Sequence, residues 1–174
     1  MYQALSRLGK TYFPNHSHKL FKYFFNLSPM YRRSTGRVVF VAAGFWRVDV
    51  KIPLSYKNRN YAGTMFGGSM FSATDPIYMV QLIQIIGTDY IVWDKSSVVQ
   101  FRRPATSDAF ITFQFAREEI EDLKARVAEL HEVEIKKLVE IKSKEGKVFC
   151  EVEKTLYIAD KEHYKKKRER KATS

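Results

Sequence analysis

Asp75 is the residue in this chain whose surroundings most demand a chemical reason. It is the one carboxylate in the run Ser69–Ile86, which otherwise holds apolar, hydroxyl and amide residues. Burying an unpaired carboxylate costs several kcal/mol, so Asp75 needs a partner or a purpose. Gly67 and Gly68 stand just upstream, and Asn60 precedes them in a polar connection. Backbone N–H groups at a glycine-rich helix entrance can polarise an oxygen. Pro76 follows Asp75 directly. A proline inside a helix costs about 3 kcal/mol, so either the helix kinks there or Asp75 caps a second helical segment. A capping Asp would have a lowered pKa and make a poorer base.

The other reactive residue types exclude several chemistries. His16, His18, His131 and His163 have no metal-binding spacing, and a single cysteine cannot build a zinc site. No metal and no cofactor is expected. There is no phosphate-cradling Walker loop, no dinucleotide fingerprint and no Gly-x-Ser-x-Gly elbow. Cys150 excludes an internal disulfide, fits a reducing compartment, and reads as a small buried residue. The net charge of +11 favours an anionic partner. No acidic residue precedes Asp49, and the stretch Lys161–Lys171 carries seven Lys/Arg against two Glu. That stretch reads as a solvated helix end, so no specific nucleic acid is expected. No run approaches the length of a membrane span, no secretory signal is apparent, and Leu20–Leu27 reads as a packed helix. A cytoplasmic protein without membrane contact is expected.

The elements that must position Asp75 can be read from the hydrophobic pattern. A helical run starts after Pro14-Asn15 and extends to about Asn26; Ser28-Pro29 opens a second, shorter helix. Arg37–Ile52 is β-rich, with Val48, Val50 and Ile52 alternating with polar residues and Gly44 marking a bend. Ser69–Ile86 reads as one helix buried on nearly all sides, stopped by Gly87. Strands follow at Tyr90–Arg102 and Ala109–Phe115. A surface helix over Glu118–Leu130 and a hairpin turning at Glu145-Gly146 complete the chain. Trp46 and Trp93 read as core, and Asp94 as a local ion pair with Lys95. A curved antiparallel sheet around one central helix, of class α+β, accounts for this order. The divisions are an N-terminal helical extension over 1–36, the sheet-and-helix domain over 37–160 and a basic tail over 161–174.

The segment Asn60-Tyr-Ala-Gly-Thr-Met-Phe-Gly-Gly-Ser-Met-Phe-Ser-Ala-Thr-Asp75 resembles the hotdog-fold acyl-CoA thioesterases of the phenylacetate-pathway type. That family shows Asn, then His-Gly-Gly six residues on, then an acidic residue on the central helix. The stretch Val92-Trp-Asp-Lys-Ser-Ser-Val-Val-Gln-Phe-Arg-Arg-Pro104 resembles the family's second strand. Asn-Arg-Asn, Gly-Thr-Met-Phe-Gly-Gly, Asp-Pro and Trp-Asp-Lys-Ser look closer still to the branch called tetrameric acyl-CoA thioesterase-like. The likeness covers roughly residues 37–158.

The resemblance implies a hotdog fold and hydrolysis of an acyl-CoA or related thioester. Asp75 would be the general base or the nucleophile. The N–H of Gly67 or Gly68 would bind the carbonyl oxygen, and Asn60, reaching across a dimer interface, would hold water or substrate. Lys95, Arg102 and Arg103 would meet CoA phosphates. The motif's histidine is Phe66 here, which removes a donor and adds an apolar wall to the substrate site. With Phe66, Met70, Phe71 and Met79 suggest an apolar tunnel, though any core would look the same. The alternative is a hotdog module that binds an acyl ligand without turnover. Seven residues of helix separate Gly68 from Asp75, on the order of 10 Å, too far for both to touch one carbonyl. A homodimer or dimer of dimers is therefore expected, with the site completed across subunits.

Overall fold

The computed structural model describes residues 17–172. The reading of Pro14-Asn15 and of His16 falls outside them. Helix α1 (Ser17–Leu27) is followed by α2 (Pro29–Arg33), whose N-cap Ser28 accepts from Tyr31 N at 3.1 Å. The first packs on the strand over residues 37–41, and the second reaches the central helix segment through Tyr31 Oη, which donates to Ala73 O at 3.1 Å. Asn26 makes a reciprocal pair with the backbone of Val38, 2.8 Å each way, and Phe25 and Tyr31 are buried.

Six strands form one antiparallel sheet: β1 (Arg37–Val41), β2 (Arg47–Ile52), β3 (Tyr90–Phe101), β4 (Ala109–Gln114), β5 (Glu132–Lys142) and β6 (Val148–Asp160). Their spatial order is β1-β2-β4-β5-β6-β3, so β1 and β3 are the edges. The β-rich run 37–52 is two strands, not one. A 3-10 turn at Ala43–Phe45, with Gly44 at φ 71°, folds β1 back against β2. That is a conformation in which glycine lacks the steric penalty of other residues.

The central helix is also two pieces, α3 (Gly67–Ser72) and α4 (Ile77–Ile86). The single helix expected over Ser69–Ile86 is interrupted over residues 73–76 because proline has no N–H and clashes with the preceding turn. Asp75 does not cap α4. Pro76 occupies the N-cap position, and no side chain accepts there. Gly87 closes α4, as the sequence implies, its N–H donating to Ile83 O at 3.1 Å.

Helix α5 (Arg117–Leu130) buries Ile120, Leu123 and Val127. Beyond β6, the basic stretch forms α6 (Lys161–Ala172), tied back by Lys167 to Glu132. The core fills the face of the sheet that covers α3 and α4. On β6 that face carries Cys150, Val152, Lys154, Leu156 and Ile158, every second residue. The curved sheet around a central helix is the hotdog arrangement. Cys150 is fully buried and burial pushes its thiol up to about 11, as befits a packing residue. Trp46 packs partly against the core, but Trp93 does not belong to it: it is 52% exposed, on the outer face of the edge strand. Among the described residues no helix is long and apolar enough to cross a membrane.

Candidate active site

The site is set by a charged residue placed in an apolar register. Lys154 occupies a core position of β6 between Val152 and Leu156, and its side chain is 2% exposed. A buried ammonium must find anions. It finds two. Its Nζ lies 3.1 Å from Asp75 Oδ1 and 2.9 Å from Asp94 Oδ2. Asp75 is delivered by the break between α3 and α4. Asp94 comes from β3, two residues after buried Val92 and thus on the same face. The Phe71 ring of α3 covers the ammonium at 5.5 Å. The expected Asp94–Lys95 ion pair is absent, because neighbours on a strand point to opposite faces. Lys95 instead reaches Glu134 on β5.

The two carboxylates differ. Asp75 is 53% exposed at its side chain and Asp94 16%. Burial pushes Asp94 up to about 6; the adjacent Asp75 carboxylate adds to this and Lys154 opposes it. Burial also opposes the charge on Asp75, but Asp94 and Lys154 outweigh it and hold Asp75 below its ordinary value. Asp75 is therefore the solvent-facing member, held low, and Asp94 the buried member, pushed up. Asp94 Oδ1 is buried and has no hydrogen-bond partner among the described residues.

Gly67 and Gly68 open α3, where the first N–H groups of a helix lack intrahelical acceptors. Aromatic rings flank them. A Cβ on Gly67 would come within 2.7 Å of the Phe101 ring, and one on Gly68 within 2.3 Å of the Phe66 ring. Both rings are more than half exposed. The helix entrance thus places two glycines against two phenyl walls. In one subunit α3 separates this mouth from Asp75.

Asn60 is committed to its own loop. Its Oδ1 accepts from Ala62 N at 3.0 Å and Thr64 N at 3.1 Å. The buried asparagine of this segment is Asn58, which donates to Thr35 Oγ1 and Pro53 O and accepts from Ser55 N, each at 2.9 Å. Its carbonyl also accepts from Phe66 N at 2.7 Å and so fixes the helix entrance. Arg102 pairs with Glu151 at 2.7 Å, and Arg103 is exposed beside it. Lys95 lies on the edge strand and turns to Glu134, while Arg102 and Arg103 follow Phe101, the ring that walls Gly67, just beyond the strand's end. Of the tunnel residues, Met70 is buried and Phe71 and Met79 pack against the core. Among the described residues no cluster of His, Cys, Asp or Glu could hold a metal ion.

Sequence reasoning missed Lys154, Asp94 as its partner, Phe101 and Asn58. A signal existed for the first. A lysine in step with Val152, Leu156 and Ile158 is a cation on a core face, and such a cation requires a carboxylate.

A family model described as a domain of unknown function, DUF4442, matches residues 17–158. No curated protein matches. Among solved structures, the chain is similar to a Pseudomonas aeruginosa protein of unknown function described as a probable thioesterase. The identity is 20%, over 82% of this chain and 95% of that one, with a TM-score of 0.71. It is similar to a thioesterase from Haemophilus influenzae at 12% identity, over 82% and 90% of the two chains, TM-score 0.60. A third likeness is to a putative thioesterase from Shewanella oneidensis at 18% identity, over 92% and 99%, TM-score 0.58. At these identities the likenesses establish the shared fold.

Proposed function

This chain belongs to the DUF4442 family, and from that premise we propose that it is a thioester hydrolase acting on an acyl-CoA with a water activated by Asp75. The observation that carries the reading is the state of Asp75. It is a solvent-facing carboxylate at the break of the central helix, held below its ordinary value against burial by Asp94 and by the buried Lys154, whose Nζ lies 3.1 Å away. The descriptions of the similar solved structures as thioesterases support it.

In this reading the substrate carbonyl oxygen accepts from Gly67 or Gly68 N–H, donors that need no reorganisation during the reaction. Phe66 and Phe101 wall the acyl side and exclude water. Because α3 separates the glycine mouth from Asp75, the pairing of mouth and carboxylate is made across two subunits, with Asn60 at the seam. The exposed edge strand β3 supports such an assembly. It is twelve residues long and carries exposed Trp93, Val98 and Phe101, and a long unpaired edge invites pairing. Lys95 and Arg102, along that edge, would exchange their contacts with Glu134 and Glu151 for CoA phosphates, and the exposed Arg103 would join them. A homodimer or dimer of dimers is the working unit.

The test is thiol release across a panel of acyl-CoA chain lengths, with light scattering at micromolar protein. Turnover by an oligomer is expected. A strictly monomeric mass would remove the shared site. Phe66, which takes the place of a histidine donor, favours a second reading, an acyl-binding module without turnover. Tight acyl-CoA binding with no thiol released from any chain length would establish that reading instead.

A further inference from the structure

We propose that Asp94 is a positioning partner of Asp75, and that the two carboxylates, clamped on Lys154, take up the proton of the attacking water as a pair. The proposal rests on the hydrolase reading above. Three features carry it. One ammonium serves two carboxylates, at 3.1 and 2.9 Å, so the cluster holds one negative charge in excess. The second oxygen of Asp94 is buried with no donor. A buried acceptor left unpaired is costly. One added proton, held by Asp94 and shared towards Asp75, would neutralise the cluster and satisfy that oxygen at once.

A lone carboxylate held low by a lysine is a weak base near neutral pH. A pair that shares a proton behaves differently, because its affinity for the first proton belongs to the pair. The upward push on Asp94, to about 6, sits close to neutrality, where a general base is most effective. In the step proposed, an O–H bond of water breaks as its oxygen bonds to the thioester carbon, and the proton passes to Asp75 and is shared with Asp94. The C–S bond then breaks, and the departing thiolate takes that proton. Acid and thiol are the products, and the pair returns to its charged state. Among the described residues, Asp75 from the helix break and Lys154 from β6 are the charged groups that act on Asp94. Lys95 on its own strand turns away to Glu134.

The experiment follows thiol release against pH in the wild type, Asp94→Asn and Lys154→Met, and the carboxyl carbon signals of Asp75 and Asp94 by NMR in the ligand-free wild type. The wild-type rate should fall on the acid side with a limb near 6. In Asp94→Asn the limb should move down by at least about one pH unit and the plateau drop about tenfold, since Asp75 must hold the proton alone. In Lys154→Met the limb should move up, because the cation that favours both charges is gone. An unmoved limb in folded Asp94→Asn protein would overturn the proposal, even if Lys154→Met does not fold. The NMR arm separates the two readings. Two carboxyls titrating together in the ordinary range would overturn the pairing whatever the activity. A wide split without any thiol release would sink the hydrolase reading, and the proton-transfer step with it, while leaving the shared proton in place.

Discussion

The two faces of β6 carry ion clusters built on opposite plans. On the inner face one lysine, Lys154, is buried and shared by two carboxylates from distant segments. On the outer face one carboxylate, Glu132, is surrounded by donors: Lys167 Nζ at 2.6 and 2.7 Å and Tyr157 Oη at 2.6 Å, with His163 Nε2 at 4.0 Å. The outer cluster has more donors than charge requires and stands about one-third exposed. It anchors helix α6. The inner cluster has fewer donors than its oxygens require and leaves one of them unpaired. An anchor is built with its contacts satisfied. In the hydrolase reading proposed above, the inner cluster keeps a contact unmade because it must receive a proton.

The sharpest break of this comparison is at the two lysines. Lys154→Met removes the cation that pairs with a buried carboxylate and should cost about 3 kcal/mol or more. Lys167→Ala removes a solvent-screened contact and should cost less than about 1 kcal/mol. Chemical denaturation of both variants reads the difference; equal losses would mean that burial does not distinguish the clusters.

The pH response should differ in sign as well. Glu132 sits below its ordinary value, held there by Lys167 and then Tyr157. Its contribution to stability is present above its unfolded value near 4.5 and is lost as pH falls through the folded one. Asp94 sits above its ordinary value of 3.8 because it is buried beside Asp75. Its contribution is full below that value and is lost as pH rises through about 6. Unfolding measured between pH 5 and 7 should therefore show a decline in the wild type that Asp94→Asn lacks. A decline of the same size in Asp94→Asn would assign it to other groups.

A smaller effect is expected at the edge and the end of the chain. Replacing Lys95, Arg102 and Arg103 together with alanine should weaken CoA binding and flatten its salt dependence. Deleting Tyr164–Ser174 should leave CoA affinity nearly unchanged and cost a little stability through the loss of the Lys167–Glu132 contact. Calorimetric titration with CoA at two salt concentrations checks both. If the deletion abolishes binding and the triple change does nothing, the phosphate site lies with α6.

Much of the frame was legible because periodicity is local. The alternation of Val48, Val50 and Ile52, the Glu145-Gly146 turn and the Ser28-Pro29 cap each announce an element within a few residues. The split at Pro76 was half legible: proline marks a break, but whether the preceding aspartate caps the next helix depends on where its side chain finds a partner. That partner, Lys154, is seventy-nine residues away in sequence. Adjacency suggests a pair between Asp94 and Lys95 while strand alternation opposes it, and the fold decides for alternation by sending Asp94 to Lys154 and Lys95 to Glu134. The Asn-Arg-Asn segment offered two asparagines, and only the fold shows that Asn58 is buried while Asn60 folds back on its own loop.

The central claim is that Asp75 is an ionised base and not a structural anion, and one pair of proteins tests it most directly. Thiol release from an acyl-CoA should be measured for the wild type and Asp75→Asn side by side, with acyl-CoA affinity and thermal stability determined on the same samples. Asparagine keeps the shape and removes the charge. The account predicts a fall in turnover of at least about a hundredfold with affinity little changed and the protein folded. Unchanged turnover in folded Asp75→Asn protein would contradict it.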